Sequence, residues 1–345
     1  MRRAVVITAT LLYVVAASPV FAFERNTAPP ALTEEERARE EAKQGKVPFP
    51  IGGIVTLTNS LGGGTFVADE YVRRAAFDVS LGLNPYWRIT PLLRLSAGLT
   101  VSKSMVENYD SGVTYKRRTT LSDVSLALTH YRLYTIPVLG IGINGALSFS
   151  FPTSPQSRYR RLYLSSRARV GLSKVLGPVY LSYGFSFYKN FNQYTTPALN
   201  SSDVGDHVIL SHFEGNEQLT TDLVAAGGNN TSFGVTNSLI ASWNITDFLA
   251  LALMYQLNSG WTYNSFDKDV LSSPYATSGR GQRDSQMGVV DLTYTVLPEL
   301  SVSLGTQTMV APKTDDNEAF VFPFMNFSNN YRNNTYVYLS VTGIF

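Results

Sequence analysis

The last ten residues, Tyr336-Val337-Tyr338-Leu339-Ser340-Val341-Thr342-Gly343-Ile344-Phe345, alternate in character. Val337, Leu339, Val341 and Phe345 share one parity, and Tyr336, Tyr338, Ser340 and Thr342 the other. Successive side chains of a strand point to opposite faces, so the pattern predicts a strand with one apolar and one polar face. In a soluble sandwich such a terminal strand would expose a long apolar edge to other chains. In a closed membrane barrel there is no edge, and the apolar face meets lipid.

Working back from this strand, the same period of two runs to Ile51. Phe77, Val79, Leu81 and Leu83 alternate with Asp78, Ser80 and Gly82, and Leu93, Leu95, Leu99 and Val101 with Arg94, Ser96, Gly98 and Thr100. Leu162, Leu164, Ala168, Val170 and Leu172 alternate with Ser165, Arg167, Arg169 and Ser173. A charge at the lipid-facing midplane costs about 2–4 kcal/mol, so the apolar sets are assigned outward. Five short Pro-, Gly- or Asp-bearing turns punctuate the strands, near Pro91, Pro137, Gly177-Pro178, Asp247 and Pro298. Between them lie longer segments, read as polar loops, at 61–71, 106–116, 153–159, 194–230, 264–280 and 313–330. Five hairpins and one strand at each end make twelve strands, expected at 51–60, 72–87, 92–105, 117–134, 138–152, 160–175, 178–193, 231–246, 248–263, 281–296, 299–312 and 331–345. The expected fold is an all-β, transmembrane, antiparallel up-and-down barrel with both termini and the short turns periplasmic.

Composition agrees. Charged residues are 16% of 345, against about 25% in soluble domains. Aromatics are 12% and mean hydropathy is −0.02. No segment beyond the N-terminus supplies the ~18 consecutive apolar residues of a helical span. The absence of cysteine excludes thiolate metal sites and disulfides.

Arg2-Arg3, the apolar run Ala4–Ala17 and Ser18-Pro19-Val20-Phe21-Ala22 read as a signal peptide, residues 1–22, cleaved after Ala22. Export to the cell outer membrane follows as the expected localisation. The run is too short for a membrane anchor. Its removal leaves 26 basic residues against 26 acidic, so nothing draws the chain to nucleic acid. Residues 23–50 form a separate tract with a short charged helix opened by Thr33-Glu34-Glu35-Glu36. A solvated periplasmic segment, a lumen plug and a periplasmic contact are all open for it. Residues 51–345 are the barrel. Its final strand, ending in Phe345, resembles the sorting signal taken up by the barrel-assembly machinery, an expected partner beside outer-membrane lipid and lipopolysaccharide.

Trp87, Tyr86, Tyr131, Tyr134, Trp243 and Phe248 cluster at strand ends near the short turns and read as a periplasmic aromatic girdle. Inward by parity lie six charges: Asp78, Arg94, Asp123, Arg167, Arg169 and Asp291. Three of each sign suit a self-satisfied network that stiffens the barrel, and equally a charged lining that sets pore selectivity. Small inward residues, among them Ser80, Gly82, Ser96, Gly98, Ser182 and Gly184, leave room for a narrow passage.

No catalytic residue, metal site or cofactor is expected. Of three histidines, His130 falls on the lipid-facing parity, while His207 and His212 share the 194–230 loop with Asp203, Asp206, Glu214 and Glu217. A metal or acid–base site there competes with an ordinary polar loop. No Ser lies in a nucleophile motif.

Leu121-Ser122-Asp123-Val124-Ser125-Leu126-Ala127-Leu128, then Pro137-Val138-Leu139-Gly140-Ile141-Gly142, then Leu147-Ser148-Phe149-Ser150-Phe151-Pro152-Thr153, resembles the barrels named for the meta-pathway of phenol degradation. In those a Gly-Asp strand precedes a hairpin closing in Leu-Pro-Thr-Gly. Ser122 and Ser154 here replace the two glycines, and the match spans about 33 residues. The resemblance implies an outer-membrane channel for small, hydrophobic or aromatic compounds. Passive passage of small solutes is thus the expected function. The alternatives are a non-conducting structural or surface-interaction barrel acting through its loops, and an outer-membrane hydrolase.

Overall fold

The computed structural model describes residues 50–66, 75–106, 108–110, 113–115, 119–196, 198–199, 208–210, 224–225, 229–264, 280–314, 316–328 and 331–345. Residues 1–22, read above as a signal peptide, nearly all of the 23–50 tract and both loop histidines lie outside them.

Twelve long strands form one closed antiparallel sheet. They are β1 (Ile51–Gly62), β2 (Phe77–Thr90), β3 (Leu93–Ser104), β4 (Val124–Ile136), β5 (Ile141–Phe151), β6 (Leu162–Leu176), β7 (Val179–Asn192), β8 (Thr231–Asn244), β9 (Leu249–Thr262), β10 (Gln282–Leu297), β11 (Leu300–Val310) and β12 (Thr335–Ile344). Each pairs with the next, and β1 closes the ring on β12 from Ile54–Ile344 to Gly62–Tyr336. The seam is tight: Phe345 exchanges both backbone hydrogen bonds with Gly53, at 2.9 and 3.0 Å. A Cβ on Gly53 would stand 2.3 Å from the Phe345 ring, so only glycine admits that ring there.

All five turns form at one rim. Thr90 and Thr246 build theirs alike, each hydroxyl accepting from the two amides that start the next strand, at 3.0–3.3 Å. Long connections occupy the other rim. Both the start of β1 and the end of β12 lie at the short-turn rim, where Ile51 opposes Trp87 and Ile54 opposes Ile344.

The burial pattern inverts that of a soluble protein. The largest fully buried side chains are Thr196, Thr308, Thr335, Ser60, Ser242 and Ser340, while Val170, Leu239 and Leu304 are at least half exposed. Apolar side chains on the outside and hydroxyls inside suit a wall facing hydrocarbon. Aromatic residues border this band at both ends. Trp87, Tyr134, Trp243 and Phe248 stand out at the short-turn rim. Phe233 stacks on Trp261, centroids 5.4 Å apart, near the other. Ten residues separate Phe233 from Trp243 on β8, about 33 Å of strand and about 25 Å along the normal at the usual tilt, the height of a membrane barrel's apolar band.

Three expectations need correction. Tyr86 and Tyr131 do not join the girdle: Tyr86 is buried, and both rings flank the inward Arg94. A register shift between Phe191 and Asn192 pairs Asn192 with Leu162, taking Leu162 out of the lipid-facing set, and exposed Tyr163 takes its place. Most consequential, the 313–330 segment is not simply a polar loop. Its residues 316–328 fold back as a strap over the outside of β9–β12. Phe324 lies 6.4 Å from outward-facing Tyr255, and the Pro323 carbonyl sits where a Cβ on Gly288 would be, 2.3 Å away.

Irregular backbone on a lipid-facing wall must find its hydrogen bonds within the protein. Three polar side chains on the outward parity supply them. Gln286 donates to the Val321 and Ala311 carbonyls (2.6 and 3.3 Å). Thr335 donates to the Asn326 carbonyl (2.5 Å), and the Thr308 hydroxyl accepts from the Asn326 amide (3.4 Å). The strap then turns Phe320, Phe322, Met325 and Phe327 outward, restoring the apolar surface.

Candidate functional site in the barrel lumen

The inward face is assembled row by row by the strand register. One row runs Ser148–Arg167–Tyr188–Gly234–Gly260–Arg283 from β5 to β10. Tyr188 lies flat across the two glycines: a Cβ on Gly234 would be 2.4 Å from its hydroxyl, and one on Gly260 2.9 Å. The Arg167 guanidinium sits 5.1 Å from the centroid of that ring, a cation–π contact that holds it against the wall. In the next row Arg169 opposes Ala146 and Ser186. Its guanidinium reaches over Gly184, 3.0 Å from where a Cβ there would stand, and Ser238 Oγ lies 2.7 Å from the same point.

Near the short-turn rim, Arg94 is held between two rings, 5.1 Å from Tyr86 and 5.0 Å from Tyr131. Arg88 donates to the Tyr86 hydroxyl (3.1 Å). The clamp keeps both guanidiniums close to the wall.

The acidic residues serve other ends. Asp291 is buried and accepts from the Tyr338 hydroxyl and from Thr293, each at 2.6 Å. Thr293 is also joined to Ser303 at 2.8 Å. Gly305 makes room for this network, since a Cβ there would stand 2.4 Å from the Tyr338 ring. Asp123 lies beyond the start of β4 and organises the 151–162 connection. It accepts from the Ser154 amide (2.9 Å) and the Ser157 hydroxyl, at the start of a short helix, α1 (Pro155–Tyr159). Thr153 completes the clamp by donating to the Ser122 carbonyl (2.7 Å) and accepting from the Val124 amide (2.9 Å). The first and last parts of the stretch singled out by resemblance are therefore bonded to each other. Asp78 is buried at the long-loop end of β2, opposite Ser60 and Ser104.

Sequence reading missed part of this wall. By register Arg88 and Arg283 also lie inward, so among the described strand residues the expected balance of three and three gives way to five arginines against Asp78 and Asp291. At the long-loop rim, Arg160 stands within electrostatic reach of Arg283, Asp123 and Tyr188. Desolvation, then the like charge of Arg283, lowers its affinity for the proton, against the pull of Asp123. An inward apolar patch also went unread, formed by Ile240, Met254 and Met287 with Val289 and Met309 against them. The signal was present, since Ile240 shares its parity with Ser238 and Ser242. Among the described residues, no three of His, Asp and Glu come together as a metal site.

No protein-family model and no curated protein matches the chain, so the resemblance at 121–153 gains no support from those comparisons. Solved structures do show likeness. An outer-membrane channel from Pseudomonas putida F1 aligns over 86% of this chain and 95% of its own, at TM-score 0.49 and 10% identity. OmpF of Salmonella typhi, in complex with daunomycin, aligns over 86% and 97%, at 0.35 and 10%. The KdgM porin, in complex with disordered oligogalacturonate, aligns over 85% and 98%, at 0.38 and 7%. At such scores the likeness decides nothing about this chain, whose architecture is read from its own strand pairing.

Proposed function

We propose that the protein is an outer-membrane channel for passive passage of small solutes, with its short turns and termini periplasmic, and that it favours anions. The observation that carries this reading is the excess of inward arginines among the described residues, three of them set against Tyr188, Tyr86 and Tyr131, in a closed barrel with an apolar exterior. Fixed positive charge in a low-dielectric passage raises the local concentration of anions and lowers that of cations. Small inward residues leave space for the solute between the larger ones. The resemblance at 121–153 adds small aromatic and hydrophobic compounds to the candidate solutes.

A test is the swelling of protein-loaded liposomes in isosmotic solutions of anionic, neutral and cationic solutes of equal size. The reading expects anions to enter fastest and cations slowest. Equal rates would remove the selectivity, and no entry of any solute would remove the channel. A second reading, a barrel with a filled lumen that works through its loops, draws on the buried Asp291–Tyr338–Thr293 network. That reading expects no swelling at all.

A further inference from the structure

A concave strip on the outer wall has no part in a solute path. It runs obliquely from Phe324 of the strap past Tyr255, Leu239, Tyr183 and Leu181 to Lys174 near the short-turn rim, and encloses about 380 Å³. The register makes it continuous: Lys174 opposes Leu181, Tyr183 opposes Leu239, and Leu239 opposes Tyr255. Its depth has two causes. Ala241 lines its floor, and the strap, seated against Gly288, raises Phe324 as a ridge at the upper end. Tyr183 donates its hydroxyl to Asn237 at 2.7 Å, leaving the ring face toward the groove.

Lys174 is the charged residue of this lining, and hydrocarbon alone does not suit it. An ammonium on a lipid-facing position is kept by reaching headgroup level, and Lys174 is three residues from the Gly177-Pro178 turn, about 10 Å of strand. A cation at the rim with an apolar channel leading from it has the charge pattern of a phosphate and an acyl chain. We infer that this groove is a binding site for one glycerophospholipid of the leaflet at the short-turn rim. Its phosphate meets Lys174, and one acyl chain runs past Leu181 and Leu239 to end beneath Phe324. The strap is thus both a cover for Gln286, Thr308 and Thr335 and the upper wall of a lipid site.

The inference rests on the membrane placement of the barrel and is tested separately from conduction. The protein, purified from membranes, is reconstituted in phosphatidylethanolamine vesicles carrying a trace of phosphatidylglycerol with a photoactivatable diazirine in its acyl chain. Labelled peptides are then mapped. Labelling should concentrate on the segments of Leu181, Leu239 and Phe324 over the segments of Leu81 and Leu128 elsewhere on the wall. Lys174→Gln should lower it about fivefold, the scale of one exposed charge pair, and Lys174→Arg should restore it. Leu239→Trp, which fills the groove, should abolish labelling at Phe324 while heat-modifiable migration still reports a folded barrel. Even labelling around the wall, or an unchanged Lys174→Gln variant, would overturn the site in favour of ordinary boundary lipid. Efficient disulfide linkage between two Leu239→Cys chains would overturn it in favour of a second copy of the protein. Failure to enter vesicles would remove the membrane reading along with it.

Discussion

Tyr338 sits on the polar face of the last strand, and its hydroxyl, with that of Thr293, donates to the buried Asp291 carboxylate. A buried acceptor that loses a donor costs about 1–3 kcal/mol. Tyr338→Phe should therefore lower the barrel's resistance to urea by about that much, read from the loss of heat-modifiable migration. Gly305→Ala should act on the same spot from the other side, because its Cβ would stand 2.4 Å from the Tyr338 ring. Overpacking of this kind typically costs about 1–3 kcal/mol, and the two variants in combination should cost less than their sum. The arginines behave differently. Arg94 gains cation–π contacts of about 0.5–2 kcal/mol, so Tyr86→Ala should cost stability modestly while freeing Arg94 to move into the lumen.

Among the elements, α1 and the strap depend on side chains that come from the barrel. Asp123 joins the Ser154 amide and Ser157, so Asp123→Ala should cost about 1–2 kcal/mol locally and open the 151–162 connection to limited proteolysis with the barrel intact. Gln286→Leu should look conservative by the alternation rule, since it places an apolar residue on an outward position. Here it should destabilise by about 1–3 kcal/mol, because the Val321 and Ala311 carbonyls lose their donor on a lipid-facing wall. Release of the strap can be read by protease cleavage near Phe322 in vesicles.

The same contrast explains what the sequence discloses. The strands are legible because hydrocarbon enforces a period of two along most of each membrane-spanning strand. Tyr86 was misplaced because its position at a strand end was weighed above its parity, which it shares with Gly82 and Asn84. The strap escaped because Asn, Asp and Ser around it read as a loop. Its mark was the outward polar trio Gln286, Thr308 and Thr335, whose purpose appears only once distant backbone is laid over them. Of the six inward charges, parity alone could not tell those that hold structure from those that face solute. Asp123 and Asp291 acquire their roles from residues about 30 and 47 positions away in the chain.

The whole molecule is proposed to be a passage through a twelve-stranded wall whose inward charge, among the described residues, is dominated by arginine. Arg167 and Arg169 are the pair to probe, since they stand in neighbouring inward rows of β6. The most direct measurement is the reversal potential of single channels in a planar bilayer under a salt gradient, for the protein and for Arg167→Ala/Arg169→Ala. Discrete conductance steps are expected, with a reversal potential on the anion side that moves toward zero in the double variant. A bilayer that stays silent with folded protein inserted, or a reversal potential that ignores both arginines, would contradict it.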